Sequence, residues 1–255
     1  MIVMRVALKF AYNGKNFYGY ARQPKLRTIE EEIINSLVKY DLIKNPKISC
    51  FRSSSRTDKG VSALGNVIAF NTENFKKDVL NKLNKENEDI LFYAFKIVDD
   101  DFYPRYACLR QYRYYLDITN KDFKKVVKGL SFFTGEHDLS NFARVEKDKN
   151  PVRVIDNIIV SEFERFLVID FFAQTFLWNQ IRRIISAVEK LGCGKITQGE
   201  IINALNNPKK IVDLGVASPE PLILKDIFYD FEFEIDQKIK LKKLENEIVS
   251  SIKNH

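Results

Sequence analysis

The stretch Ser53-Ser54-Ser55-Arg56-Thr57-Asp58-Lys59-Gly60-Val61-Ser62-Ala63-Leu64-Gly65 is polar, punctuated by glycine and set between two apolar runs. Residues 48–54 and 65–70 read as strands, so the stretch reads as a loop held at both ends by a sheet. Upstream, residues 2–12 alternate as a strand and Asn13-Gly14-Lys15-Asn16 makes a loop. Thr28 then opens a helix, with Glu31 three residues on as a capping box. Its apolar positions Ile29, Ile33, Ile34 and Leu37 share one face. Downstream, Phe75, Val79 and Leu83 give residues 75–85 helical spacing, and residues 90–98 are a strong strand. The order is β-α-β-β-α-β, the outline of a ferredoxin-like or RRM-like unit.

A similar order follows. Residues 109–118 read as a strand, 123–133 as a helix, 153–163 and 166–172 as paired strands, and 176–191 as a helix ending at Gly192. A short helix at 201–205 and a last strand at 227–233 complete the outline. No residue-level repeat links the halves, so the duplication rests on pattern. The expected fold is α/β of the α+β kind: two RRM-like halves sharing one mixed sheet, with an active-site cleft at its centre. The expected domains are 1–104, carrying the Asp58 loop, and 105–255, meeting near Asp99-Asp100-Asp101. Residues 235–252 read as an amphipathic terminal helix.

The chain has 255 residues, 45% of them hydrophobic, enough to bury a full core. Its net charge of +7 suits a polyanionic partner such as nucleic acid. Three widely spaced cysteines and two histidines argue against a disulfide framework, a zinc site or a histidine-based triad. No apolar run is long enough to span a bilayer. The N-terminus has charges inside its apolar stretch and reads as a strand, not a signal peptide, which makes the cytosol the default location.

Taken alone, Arg56-Thr57-Asp58-Lys59-Gly60 reads as an Asx-type turn. Its surroundings change that reading. The run Arg56-Thr57-Asp58-Lys59-Gly60-Val61-Ser62-Ala63-Leu64-Gly65-Asn66-Val67 resembles the active-site loop of the tRNA pseudouridine synthase A family, Gly-Arg-Thr-Asp-Ala-Gly-Val-His-Ala-x-Gly-Gln-Val. Ser55, Lys59 and Ser62 depart from that pattern. Four further segments resemble family motifs in the right order: Tyr12-Asn13-Gly14 through Gln23, with Tyr20 for the usual Trp; Phe102-Tyr103-Pro104-Arg105 with Arg110-Gln111-Tyr112-Arg113-Tyr114; Phe176 through Ile184; and Ala217 through Leu222, with Pro221 for Gly.

The resemblance implies an enzyme that isomerises uridine to pseudouridine in the anticodon stem-loop of tRNA, at about positions 38 to 40, read through RNA shape. It implies Asp58 as the catalytic carboxylate and Tyr112 as the ring that stacks on the flipped uracil. A carboxylate in a closed pocket needs a neighbouring cation to stay ionised. The resemblance offers Arg182 for that place, beside the apolar stripe of Ile181, Ile184 and Ile185. Arg183, one residue round the helix, is expected to face RNA or solvent. Arg56 is implied to hold RNA or fill the gap left by the flipped base. Arg105 and Arg110 are further expected substrate contacts through phosphate. His137 is expected in a cap or turn. No cofactor or metal is expected, and the family's homodimeric state carries over as an implication. The rivals are a non-catalytic tRNA-binding protein and a uracil-releasing glycosidase. The latter lacks an evident second carboxylate to activate water.

Overall fold

The computed structural model describes residues 3–76, 78–87 and 89–254. In chain order they form β1 (Met4–Tyr12), α1 (Ile29–Lys39), β2 (Arg52–Ser53), β3 (Ser62–Thr72), α2 (Val79–Glu86), β4 (Ile90–Val98), β5 (Leu109–Asp117), α3 (Phe123–Leu130), β6 (Gly135–Asp138), β7 (Val152–Ile155), β8 (Asn157–Phe163), β9 (Phe166–Ala173), α4 (Gln180–Gly192), α5 (Gln198–Asn206), β10 (Leu222–Phe228), β11 (Glu234–Ile235) and α6 (Leu241–Lys253). The fold is mixed α/β, as the sequence predicts. It divides into two compact units, Met1–Cys108 with Ile223–His255, and Leu109–Leu222.

The first unit is a split βαβ arrangement. Its N-terminal strands pair in the order β4, β1, β3, β2, each pair antiparallel. Ile29, Ile33, Ile34 and Leu37 of α1 are buried, which is the face that the 3.6-residue period selects. The capping box expected at Thr28 does not form: its side chain makes no cap bond. The amides of Ile29 and Glu30 instead donate to the carbonyls of Gly19 and Tyr20, so the helix start is already satisfied by backbone. The strand expected over 48–54 shrinks to Arg52–Ser53. Asn45 gathers the amides of Lys47 and Ile48 on its side chain, and Cys50 has a φ of 46°, so the chain turns there.

The observed units divide at Cys108 rather than 104, and the chain from Ile223 onward groups with the N-terminal part instead of the C-terminal half. Strand pairing is the reason. β10 runs parallel to β3, with Ile223 opposite Ser62, and β11 adds to β4. α6 packs on β1 and β3 through Ile248 and Ile252. The expected last strand at 227–233 stops at Phe228, and Tyr229, Phe231 and Phe233 beyond it cluster with Phe102.

In the second unit, β9 lies between β5 and β8, antiparallel to both, and β6 pairs with β7 in a separate ribbon. The single strand expected over 153–163 breaks at Asp156, whose amide bonds to the Phe172 carbonyl. α3 and α4 approach closely. A Cβ on Gly129 would sit 2.9 Å from Leu191, and one on Gly192 would sit 2.6 Å from Val126. Helix α4 begins at Gln180, not at 176, because Asn179 adopts a left-handed φ of 60°. The helix over 198–206 carries a capping box, Thr197 with Glu200, that the sequence reading did not find.

Candidate active site

The Asp58 loop joins β2 to β3 and is held from three directions by the first unit. At its entry, the Ser54 amide donates to the Val67 carbonyl, and the Asn66 side chain bonds both the amide and the carbonyl of Ser55. From β1, the Tyr12 hydroxyl and the Thr57 hydroxyl share a buried 2.7 Å hydrogen bond. From the segment after β1, the Tyr20 amide donates to the Thr57 carbonyl at 3.1 Å. The loop closes with a turn in which the Val61 amide donates to the Asp58 carbonyl and Gly60 takes a φ of 85°. Thr57 is buried, Asp58 half-buried, and Arg56 and Lys59 exposed.

Two glycines let the N-terminal segment lie against this loop. A Cβ on Gly14 would stand 2.2 Å from the Val61 carbonyl oxygen. Gly19 has a φ of 96° and lies against the backbone of Thr57 to Lys59. The family-like motif that begins at Tyr12 is therefore the support of the Asp58 loop. The departures from the family pattern are accommodated locally. Ser62, where His is usual, accepts the Gly14 amide at 3.0 Å. Tyr20, where Trp is usual, is fully buried and donates its hydroxyl to Ser53 at 2.8 Å. Burial pushes the Tyr20 phenol well above its ordinary pKa, partly offset by the Ser53 bond. The Lys59 ammonium lies 4.3 Å from the Tyr18 ring centroid.

Arg105, also in the first unit, is exposed, next to Pro104 whose carbonyl accepts the Tyr229 hydroxyl. The other candidates stand in the second unit. Tyr112 is buried in β5, opposite Phe171, and meets the Phe176 ring edge-on with centroids 5.2 Å apart. Tyr114 is buried and donates to the Ser218 carbonyl. Arg110 is buried and donates to the Gln174 carbonyl, so the solvated phosphate contact expected of it meets an interior side chain instead.

Arg182, in the first turn of α4, is half-buried. Its Nε donates to the Ala217 carbonyl at 2.8 Å and an Nη to the Asn179 side chain at 3.1 Å. The Ala217 amide returns a bond to the Arg182 carbonyl, which fixes the helix start to the Ala217–Leu222 motif. Arg183 is paired with Asp213 at 3.1 Å rather than open to solvent, a partner that lies too far along the chain to read from spacing. The Gly215 amide, with Arg183 adding to it, holds the Asp213 carboxyl below its ordinary pKa.

Sequence reasoning left Arg113 unread, although it lies inside the quoted β5 motif. Its guanidinium grips Asp170 of β9 with two bonds of 2.9 and 2.8 Å, and Gln111 adds a third at 3.1 Å. Asn66 was also unread, though a polar residue within an apolar strand was the available signal. His137 lies in β6, a half-buried strand position, with its ring near the Thr134 carbonyl. Among the described residues, no group of three or more His, Cys, Asp or Glu is placed to hold a metal, and no helix is long and apolar enough to cross a membrane.

The first unit is a split βαβ arrangement that presents the Arg-Thr-Asp loop, and the second carries the Tyr112 strand and the Arg182 helix. Residues 131–230 match the family model described as tRNA pseudouridine synthase. The tRNA pseudouridine synthase A of Thermococcus sibiricus is 42% identical over 250 residues, covering 95% of this chain and 93% of that protein. The Pyrococcus furiosus protein of the same name is 40% identical, over 99% and 94%. That of Pyrococcus abyssi is 42% identical, over 96% and 92%. The chain belongs to the tRNA pseudouridine synthase A family and is an enzyme of the isomerase class.

Proposed function

We propose that the enzyme converts uridine to pseudouridine in the anticodon stem-loop of tRNA, at about positions 38 to 40, by recognising RNA shape. Asp58 is the attacking carboxylate: it bonds to the sugar C1′ as N1 leaves and is displaced when C5 bonds to the same carbon. The bond from the sugar C1′ to uracil N1 breaks, the ring turns, and a bond from C1′ to C5 forms; C5 gives up its proton and N1 gains one. Nothing is oxidised or reduced, so the chain's own groups suffice and no cofactor enters. The target base leaves the stack and lies against Tyr112. Arg182 supplies positive charge to the reacting carboxylate, and Arg56 and Arg105 serve RNA binding. The enzyme works as a homodimer in the cytoplasm.

The observation that carries this reading is the support of the Asp58 loop. Tyr12, Asn66, Gly14 and Gly19 fix the residues on both sides of Asp58, which is itself half-buried. A group held so firmly is prepared to act on a bound partner. The test is to treat unmodified tRNA with purified protein and map pseudouridine. We expect conversion in the anticodon stem-loop, its loss in Asp58→Asn and Asp58→Ala, and tRNA binding largely kept in both. Substantial turnover by Asp58→Asn would remove the residue from the mechanism, and modification only elsewhere would remove the proposed site. Sedimentation of the purified protein tests the dimer.

A further inference from the structure

We propose that Trp178, backed by Arg144, is a stacking platform for an unpaired base of the tRNA that neighbours the target. This deepens the reading above and rests on it. Trp178 is 45% exposed, although it is the largest side chain in the protein. Leaving such a ring in water forgoes hydrophobic stabilisation that burial would give. Yet its backbone is fixed. The Arg144 amide donates to the Trp178 carbonyl at 2.7 Å, making an isolated antiparallel bridge. The Arg144 guanidinium lies 4.2 Å from the ring centroid. Two residues upstream, Phe176 packs edge-on against Tyr112; one residue downstream, the Asn179 side chain accepts from Arg182.

Trp178 therefore sits on the short segment that also touches Tyr112 and Arg182. A partly exposed aromatic ring on a fixed backbone, with a guanidinium 4.2 Å from its centroid, suits a flat π surface, and bases splayed from single-stranded RNA stack on such rings and on arginine planes. The charges after Arg144 alternate, Glu146, Lys147, Asp148, Lys149. A bulk positive field is thus absent from this loop, and the ring with its guanidinium is what recognises the ligand. Trp178 is a positioning residue for the RNA and takes no part in bond-making.

Trp178 is the single tryptophan of the chain, so intrinsic fluorescence reads this site alone. Titration with unmodified tRNA should quench the emission in step with binding measured by filter retention. Trp178→Ala should raise KM roughly tenfold, with a smaller change in kcat, since stacking on one aromatic side chain is worth about that factor. Trp178→Tyr should restore most of it, which a purely structural role for the indole would not. Full binding with unchanged emission, or a wild-type KM in Trp178→Ala, would overturn the proposal. Pseudouridine mapping with the wild type runs in parallel. If tRNA binds and quenches but no pseudouridine forms, the catalytic reading falls and the platform stands. If tRNA does not bind, both fall.

Discussion

Tyr12 at the end of β1 and Thr57, the residue before Asp58, are joined by a 2.7 Å hydrogen bond between their buried hydroxyls. Asn66 of β3 approaches the same Tyr12 oxygen at 3.5 Å and grips Ser55 on the other side. The loop thus takes its shape from two paired strands, which are themselves fixed by the core. A register shift between Phe10 and Tyr12 in the β1–β3 pairing lies at this point, and such irregularities re-aim side chains at strand ends.

Tyr12→Phe tests whether this bond matters to turnover. It leaves the Thr57 hydroxyl buried without this partner, a loss of about 1–3 kcal/mol. Unfolding by denaturant should show that loss. Single-turnover pseudouridine formation should slow by more than tRNA affinity weakens, because the bond orders the loop and not the RNA surface. A destabilised variant with wild-type turnover would show that Asp58 does not depend on this anchor.

Gly14→Ala should be far more damaging than its size suggests. The new methyl would stand 2.2 Å from the Val61 carbonyl oxygen, a backbone atom with no flexible end to give way. The N-terminal segment or the Asp58 loop must move. We expect a stability loss of about 1–3 kcal/mol from the forced shift, with most activity lost. Gly199→Ala in α5 is the control: its methyl meets only the Thr197 hydroxyl, at 3.8 Å, and alanine favours helix by up to about 1 kcal/mol. The two melting temperatures should move in opposite directions; equal shifts would discount the close approach at Gly14.

Much of this was legible in the sequence where local pattern dominates. β4 falls on its expected residues, and the buried face of α1 is the one its periodicity names. The Asp58 loop was legible as a loop because its polar residues interrupt two apolar runs. What escaped were features decided by distant contacts. The Thr28 helix start looked like a side-chain cap but is satisfied by the carbonyls of Gly19 and Tyr20. The first unit recovers β10 and α6 from the far end of the chain through parallel pairing on β3, which no local pattern announces. Within the second unit, Arg110 looked like a surface cation and lies inside, while Arg113 found a carboxylate across the β5–β9 ladder.

Arg113 and Arg183 make a matched comparison of ion pairs. The Asp170 side chain opposite Arg113 is 11% exposed, whereas the Asp213 side chain opposite Arg183 is 76% exposed. Arg113→Ala strands an enclosed carboxylate and should lower stability by about 3 kcal/mol. Arg183→Ala leaves a hydrated carboxylate and should lower it by less than about 1 kcal/mol. Urea unfolding of the two variants checks the ratio. Equal losses would mean that enclosure of Asp170 contributes nothing to the Arg113 pair.

Alkaline pH should weaken the fold through its buried phenols. Burial raises the pKa of Tyr20, Tyr93 and Tyr114, with Asp226 adding to the effect at Tyr93. A raised folded-state pKa means that the unfolded chain loses these protons first. The stabilising contribution is therefore fully present below the unfolded tyrosine value of about 10 and is lost as pH rises above it toward the folded value. Each such tyrosine adds up to about 1.4 kcal/mol of lost stability per pH unit in that window. Stability should be flat from pH 8 to 9.5 with respect to these groups and fall beyond. Tyr93→Phe should be less stable at pH 8, because the hydroxyl's 2.8 Å bond to the Leu64 carbonyl is gone. Its decline above pH 10 should nevertheless be shallower, with one fewer phenol to ionise on unfolding. Urea unfolding of wild type and variant at half-unit steps from pH 8 to 11.5 gives both slopes. Parallel slopes would show that the Tyr93 phenol ionises as readily in the folded protein as in the unfolded chain.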